Sequence, residues 1–164
     1  MNIVLIGFMG SGKTTIGKAL ASSLNMKFID TDELIENQQG ITIKDIFSNF
    51  GELRFRTIET ESIKSLKLIE GHVISVGGGA VMKEDNFKTL KDIGLIVFLD
   101  APIDKIIMNL EGGFRPLVGN TIDRDKMSEL LKSRYSTYRK ADIIINTDKL
   151  DVQETIEAIL KSLK

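Results

Sequence analysis

The chain contains no cysteine. It therefore has no disulfide, no thiolate metal site and no cysteine nucleophile, and this composition is compatible with a reducing compartment. We expect any metal ion to bind oxygen ligands. The single histidine, His72, opens an apolar run and has no partner in the sequence, so a structural role is expected for it.

An excess of charge of either sign is also missing. Lys and Arg total 22 against 23 Asp and Glu, which gives a net charge of −1. Without a positive field, small molecules are better expected as partners than nucleic acid. No apolar run approaches the length of a bilayer-spanning helix, and the first residues lack a secretion signal pattern. We therefore expect a cytoplasmic protein that does not bind membranes.

The length of 164 residues fits a single domain, 1–164, with a sizeable core. Strand-like apolar runs alternate with helical patterns, and this alternation predicts an α/β fold with a parallel sheet. The predicted strands are 2–6, 27–29, 72–76, 95–99 and 142–145. The predicted helices are 13–24, 33–38, 42–47, 52–69, one from about 83, then 103–110, 126–140 and 152–163.

A phosphate-binding loop motif follows the first predicted strand. It reads Gly7-Phe8-Met9-Gly10-Ser11-Gly12-Lys13-Thr14 and leads directly into a helical pattern. Its glycines allow the backbone to curl its N–H groups around a polyphosphate. We expect Lys13 to reach the β- and γ-phosphates of a nucleotide and the Thr14 hydroxyl to bind Mg²⁺. The alternative, a glycine-rich turn with a chance lysine, does not account for the flanking strand and helix.

Two carboxylates, Asp30 and Asp32, follow the second predicted strand. Either could hold Mg²⁺ through water, or could accept a proton from a substrate hydroxyl, and helix capping is the alternative for each. The spacing alone does not assign these roles. Asp100, at the end of the fourth predicted strand, is interpreted as a helix cap because Pro102 follows it closely.

The helices between the second and third strands interrupt the alternation and are candidates for a second-substrate subdomain. Arg56 and Glu59, at i and i+3, form an exposed ion pair in the simplest interpretation. Gly77-Gly78-Gly79 is either a turn or a place where a polar substrate approaches backbone N–H groups. Arg134 and Tyr138 share a helix face, and solvated positions are the simplest interpretation of both.

The segment 111–125 has little periodicity and contains Arg115. A loop of this length usually has a function or is disordered, and we interpret it as a lid. The guanidinium of Arg115 could then close over the γ-phosphate and stabilise the charge on its oxygens.

Taken in order, these motifs resemble the shikimate kinase family, part of the nucleoside monophosphate kinase-like P-loop superfamily. The resemblance extends over nearly the whole chain. The matching pieces are Gly-Phe-Met-Gly-Ser-Gly-Lys-Thr-Thr at 7–15, Phe-Ile-Asp-Thr-Asp at 28–32, Phe-Arg-Thr-Ile-Glu at 55–59, Gly-Gly-Gly-Ala at 77–80, Arg-Pro-Leu at 115–117, and Arg134 with Tyr138. Each piece after the loop is weak alone, whereas the ordered set is specific.

The resemblance implies a three-layer P-loop kinase fold with a five-stranded parallel sheet, substrate-binding helices at 33–61 and a lid at 111–125. It also implies a monomer that uses ATP and Mg²⁺ to phosphorylate the 3-hydroxyl of shikimate, on the route to chorismate and the aromatic amino acids. The implied nucleotide-binding residues are Gly10, Ser11, Gly12, Lys13, Thr14, Thr15 and Arg115.

The resemblance further implies roles for the acceptor side and for the metal. Asp32 would bind substrate hydroxyls and act as the base, and Arg56 and Arg134 would bind the substrate carboxylate. Glu59 would orient Arg56. The backbone of Gly77, Gly78 and Gly79 would help to hold the ring, and Thr14 and Asp30 would support the metal. Lys13, Asp32 and Arg115 are thus the implied catalytic residues.

One departure concerns adenine. Relatives often have an arginine shortly before the lid, whereas the chain reads Ile107-Met108-Asn109-Leu110 there. We expect adenine to contact aliphatic surface instead, with Lys149 or nearby backbone at its edge. Two alternatives to a shikimate kinase stay open: a gluconate or nucleoside monophosphate kinase of the same fold, and a nucleotide-binding switch without transfer activity.

Overall fold

The computed structural model describes residues 1–111 and 122–164. Its sheet contains five strands in the order β2-β3-β1-β4-β5, and every neighbouring pair is parallel. The predicted five-stranded parallel α/β fold is therefore confirmed. The strands are β1 Asn2–Ile6, β2 Lys27–Asp30, β3 His72–Ser75, β4 Gly94–Asp100 and β5 Ile143–Asn146.

Helices cover both faces of this sheet, so the described chain forms three layers. Side chains alternate along a strand: Val4 and Ile6 of β1 face one apolar cluster, and Ile3 and Leu5 face another. The helices are α1 Lys13–Ser23, α2 Thr31–Gln39, α3 Ile43–Ser65, α4 Glu84–Ile93, α5 Ile103–Glu111, α6 Arg124–Tyr138 and α7 Val152–Ser162. Helices α1 and α7 cover one face, while α4, α5 and α6 cover the other.

A third, smaller apolar cluster belongs to α2 and α3. It contains Ile35, Ile46, Phe55 and Ile58, all of them buried. Helix α3 is interrupted at Gly51, whose φ of 81° and ψ of 172° are not helical. The break lies where the sequence predicts a separation between two helices. These helices thus have a local core of their own beside the sheet.

Several predicted boundaries are shifted by local interactions. Helix α2 begins at Thr31 and not at residue 33, because the Asp30 side chain accepts a hydrogen bond from the Asp32 N–H and caps it. Helix α3 ends at Ser65 and continues as a short 3₁₀ turn, Leu66–Leu68. Among the described helices, none combines the length and apolar character that crossing a bilayer requires.

The carboxyl ends of the strands bring the predicted motifs to one edge of the sheet. The phosphate-loop motif follows β1, Asp30 ends β2, the triple glycine follows β3, and Asp100 ends β4. Ligands of open α/β sheets bind at this edge. The topology therefore places residues that are distant in sequence around one cleft.

Candidate active site

A cavity of about 440 Å³ opens at this edge of the sheet. Its wall is formed by the phosphate loop, the end of β2, helix α3, the turn after β3 and helix α6. The predicted site residues that line it are Gly10, Gly12, Lys13, Thr14, Asp30, Asp32, Arg56, Gly77, Gly78, Gly79 and Arg134. The fold thus brings together most of the side chains and glycines that the sequence indicates.

Among the described residues, three predicted ones are not part of this wall. The Ser11 side chain is buried in the loop, and Thr15 is exposed on α1. Lys149 is exposed in the turn after β5. Arg115, with most of the predicted lid, lies outside the described residues.

The phosphate loop takes its shape from glycine backbone angles. Gly10 and Gly12 have φ values of 76° and 91°, which residues with a Cβ rarely adopt. Gly12 is also the N-cap of α1, which has no acidic residue in its first turn. The N-terminus of α1, with its backbone N–H groups and the positive end of its dipole, therefore faces the cleft, as an anion site requires.

Lys13 holds the loop from inside. Its Nζ donates hydrogen bonds of 2.9 Å to the backbone oxygens of Gly7 and Phe8, and the side chain is buried. These two carbonyls belong to the start of the loop, whereas Lys13 begins the following helix. The ammonium is thereby fixed where the loop can surround a polyphosphate.

Thr14 and Asp30 form the oxygen pair expected to support a metal. Thr14 Oγ1 donates to Asp30 Oδ2 at 2.8 Å, and both residues line the cavity. Within residues 1–111 and 122–164, no group of three or more metal-ligating side chains occurs. Mg²⁺ commonly takes only one or two protein oxygens and completes its shell with water and phosphate. The pair therefore fits Mg²⁺ held together with a nucleotide.

Asp30 and Asp32, whose roles the sequence spacing does not assign, have different positions in the structure. Asp30 caps α2 and accepts from Thr14, so both of its oxygens are used. Asp32 lies within the first turn of the helix and lines the cavity. A Cβ placed on Gly77 would lie 3.0 Å from Asp32 Oδ1, so the turn after β3 passes directly beside this carboxylate.

Arg56 and Glu59 form a partly buried ion pair, so their interpretation as an exposed pair is wrong. Arg56 Nη1 donates to Glu59 Oε1 at 2.9 Å, and Glu59 is only 2% exposed. Burial raises the pKa of the Glu59 carboxyl, while the Arg56 guanidinium opposes that change. Glu59 thus fixes the guanidinium of Arg56, whose side chain is 33% exposed, at the cavity wall.

The turn after β3 is shaped to admit this guanidinium. A Cβ on Gly79 would lie 2.7 Å from Arg56 Nη2, which is closer than a Cβ comes to another heavy atom in folded proteins. A Cβ on the preceding glycine, Gly78, would lie 3.6 Å from Arg134 Nη1. A distance of 3.6 Å is an ordinary contact, so Arg134 packs against Gly78, whereas only the absence of a side chain at Gly79 makes room for Arg56.

Arg134 and Tyr138 are not simple solvated residues either. Tyr138 is fully buried, and its Oη donates to the backbone oxygen of Gly78 at 2.7 Å. Burial raises the pKa of the Tyr138 phenol. The Arg134 guanidinium lies 5.7 Å from the centroid of the Phe8 ring. Helix α6 thus connects the triple-glycine turn to the phosphate loop.

Phe8 is a site residue that sequence reasoning missed. It occupies a variable position of the loop motif, yet it is buried and supports Arg134 from below. A cation over an aromatic face gains electrostatic stabilisation. An aromatic residue at a variable position of a glycine-rich loop was the available signal, although its partner lies more than a hundred residues away.

The interpretation of Asp100 as a helix cap is wrong. Helix α5 begins at Ile103, and its first turn closes with the Ile106 N–H donating to the Pro102 oxygen. Asp100 is therefore too early in the chain to cap it. Its Oδ2 instead accepts a 2.7 Å hydrogen bond from Tyr135 Oη, which raises the pKa of that phenol and joins β4 to α6.

This architecture is that of a P-loop kinase: a parallel sheet in the order 2-3-1-4-5, a phosphate loop after β1, and a charged pocket facing that loop. Within that class, the family model for shikimate kinase matches residues 9–164. The chain belongs to the shikimate kinase family.

Individual relatives agree with this assignment. The shikimate kinase of Thermodesulfovibrio yellowstonii is 45% identical over 161 residues, covering 98% of this chain and 93% of that protein. A crystal structure of shikimate kinase from Bacteroides thetaiotaomicron is 33% identical, with a TM-score of 0.93 and coverage of 99% and 98%. The structure from Acinetobacter baumannii, in complex with shikimate, is 36% identical, with a TM-score of 0.91 and coverage of 99% and 92%.

Proposed function

We propose that the protein transfers the γ-phosphoryl group of ATP to the 3-hydroxyl of shikimate, giving shikimate 3-phosphate and ADP in the route to chorismate. The main support is a single cavity with a phosphate loop on one side and Asp32, Arg56 and Arg134 on the other. Membership of the shikimate kinase family and the likeness to a relative in complex with shikimate agree with it.

The acceptor side suits a small polyhydroxylated carboxylate. Arg56 and Arg134 would bind the carboxylate, because guanidinium groups match its planar oxygens in bidentate geometry. Asp32 would accept hydrogen bonds from the substrate hydroxyls. The N–H groups of the turn formed by Gly77, Gly78 and Gly79 would help to hold the ring. The helices within 33–61 would form the substrate-binding part of the domain.

The donor side suits the phosphates of ATP. The backbone N–H groups of 10–15 and the ammonium of Lys13 would bind them. A Mg²⁺ ion, held by Thr14 and through water by Asp30, would supply positive charge to the phosphates when bound. Lys149 would lie near the adenine edge. Arg115, in a lid at 111–125, would stabilise charge on the transferred group.

The reaction forms one phosphorus–oxygen bond and breaks another. As the acceptor oxygen bonds to the γ-phosphorus, the bond from that phosphorus to the β–γ bridging oxygen breaks, and ADP leaves with the electron pair. The acceptor's proton passes to Asp32 and from there to solvent. Lys13 neutralises charge that spreads over the phosphoryl oxygens in the loose transition state. Most of the catalysis would therefore come from positioning and electrostatics.

A coupled assay of ADP release tests the proposal. ATP, Mg²⁺ and the protein are combined with shikimate, with gluconate, with AMP, or with no acceptor. Among these four conditions, we expect saturable ADP formation only in the one that contains shikimate. Turnover with gluconate or AMP would instead support another small-molecule kinase of this fold, and nucleotide binding without acceptor-dependent turnover would support a switch.

The fold alone does not exclude a nucleoside or nucleotide acceptor. A deoxyadenosine kinase from M. mycoides shares it with a TM-score of 0.69 at 16% identity. The paired arginines beside Asp32 favour a carboxylate-bearing acceptor over a nucleobase. A monomeric, cytoplasmic enzyme is part of the proposal, and a monomer suits a cavity whose two sides come from one chain.

A further inference from the structure

Two side chains of helix α5 contact two different loops at the carboxyl edge of the sheet. Lys105 and Asn109 are four residues apart, so they lie on the same helix face. Asn109 Nδ2 donates a 2.8 Å hydrogen bond to the backbone oxygen of Gly10 in the phosphate loop. Lys105 Nζ donates to the backbone oxygen of Leu150 at 2.7 Å, and also to that of Thr147.

Three other hydrogen bonds hold the turn 147–150, one of them from the Asp148 N–H to Asn146 Oδ1 at 3.0 Å. The Thr147 N–H donates to the Asp100 oxygen at 3.0 Å, and the Leu150 N–H donates to the Thr147 oxygen at 3.2 Å. Lys105 contacts the carbonyls at both ends of this turn. Hydrogen bonds from a charged donor are stronger than neutral ones. The ammonium of Lys105 therefore fixes the shape of the turn as well as its distance from α5.

At its other end, α5 lies directly against the phosphate loop. A Cβ on Gly10 would lie 2.8 Å from Leu110 Cγ and 3.0 Å from the Ile106 oxygen. Asn109 adds a hydrogen bond to this close packing. The position of the Gly10 peptide is thus determined by α5 as well as by the loop's own backbone.

The geometry of the cleft indicates what lies between these two loops. The acceptor pocket extends from the phosphate loop toward β2 and β3, where Asp32 and Gly79 are found. The turn 147–150 follows β5, on the opposite side of β1. A nucleotide with its phosphates at the N-terminus of α1 must direct its nucleoside away from the acceptor. It would therefore extend toward α5 and the turn 147–150.

We propose that Lys105 and Asn109 are positioning residues for the nucleotide. They fix the turn 147–150 and the phosphate loop to one face of α5, and so set the separation between the nucleoside end and the phosphate end of the binding site. Neither side chain needs to touch the nucleotide. The inference depends on the proposed function only in requiring that the phosphate loop binds a nucleotide.

Calorimetric titration with ADP tests the inference without any catalytic step. We expect Lys105→Met to raise the ADP dissociation constant about tenfold, the effect of losing a charge-assisted interaction. Shikimate binding, measured without nucleotide, should be unchanged. Lys105→Arg, which keeps the charge and donors, should recover most of the ADP affinity. Lys161→Met, an exposed lysine on α7, is the matched control and should behave as wild type.

Asn109→Ala tests the other end of α5. The side chain is exposed, so its loss should leave the fold intact even where Lys105→Met fails to fold. We expect ADP binding to weaken about threefold to tenfold, again with shikimate binding unchanged.

Either of two results would overturn the proposal. One is a lower melting temperature with ADP affinity unchanged, which would make these contacts purely structural. The other is an equal loss of ADP and shikimate binding, which would indicate general damage to the site. Because no acceptor is present in the ADP titration, a wild-type protein that binds ADP but does not phosphorylate shikimate would refute the proposed function and still leave this inference testable.

Discussion

The two sides of the cavity are built in opposite ways. The phosphate-binding part of the donor side is one contiguous stretch, Gly7 to Thr14, in which glycine backbone angles and the Lys13 hydrogen bonds largely define the shape. The acceptor side combines side chains from α2, α3 and α6 with the turn after β3. Local backbone geometry determines the first, and long-range packing of charged groups determines the second.

Because of this difference, mutations on the two sides of the cavity should have different effects. On the acceptor side, each arginine depends on another residue for its position: Glu59 fixes Arg56, and Phe8 lies beneath Arg134. A buried charge that loses its partner is costly. Changes on the acceptor side should therefore alter substrate affinity and stability together, whereas changes on the donor side should alter turnover first.

The strongest test of the donor side is Lys13→Met. We expect kcat to fall by about 10³-fold or more, because a cation that stabilises charge on the transferred phosphoryl group is lost. Shikimate binding without nucleotide should persist. Steady-state kinetics and calorimetry measure these effects, with exposed Lys18→Met on the same helix as the control. If shikimate binding were lost as well, the two sides of the cavity would not bind their ligands independently.

Asp32→Asn tests whether the acceptor side also takes part in the chemical step. It removes the proposed base but keeps the size of the side chain, so we expect kcat to fall by about 10²–10³-fold. ADP affinity should stay within about twofold of wild type, because Asp32 lies on the acceptor side of the cavity. Glu33→Gln, an exposed neighbour on α2, serves as the control. Normal turnover by Asp32→Asn would refute the role of base.

Arg56→Lys tests recognition alone. Lysine keeps the charge but loses the planar pair of donors, so we expect the KM for shikimate to rise by about tenfold or more, with a smaller change in kcat. The KM for ATP should not change. Arg54→Lys makes the same substitution at an exposed position of α3 and should have no effect. Equal changes in both KM values would show that Arg56 acts on the whole cleft and not on the acceptor.

The same contrast explains what could be predicted from sequence. The parallel sheet and the phosphate loop were predictable, because alternating apolar runs and a contiguous motif express their structure locally. Asp30, which caps α2, also accepts a hydrogen bond from Thr14, sixteen residues earlier, and so belongs to the phosphate side of the cavity. No local pattern contains this information.

The remaining differences have the same origin. Glu59 looks exposed in a helical pattern, yet it is buried where α3 lies beside the turn after β3. Asp100 looks like a cap, yet it meets Tyr135 from α6. Lys105 looks like a surface lysine, although its partners lie more than forty residues away in the turn after β5. Each role depends on a contact between elements that are distant in the chain.

The smallest expected effect concerns the buried acid of the acceptor side. Because burial raises the pKa of Glu59 above its ordinary 4.5, the folded protein binds more protons than the unfolded chain between those two values. The free energy of unfolding must then fall as the pH rises through that interval, by about 1.4 kcal/mol for each pH unit between the two pKa values. Urea denaturation of wild type and Glu59→Gln across pH 4.5 to 7.5 measures it.

Glutamine removes the titration at this site, so the stability of wild type relative to Glu59→Gln should decline with rising pH and then level off. Carboxylates distant from Glu59 contribute to both proteins and largely cancel in the difference. The variant should also bind shikimate more weakly, because Arg56 loses its buried, hydrogen-bonded charged partner and keeps only the exposed Glu52 at 3.6 Å. A difference in stability that is independent of pH would mean that Arg56 fully compensates the burial of Glu59. The Arg56–Glu59 pair would then offset the free-energy cost of its own burial.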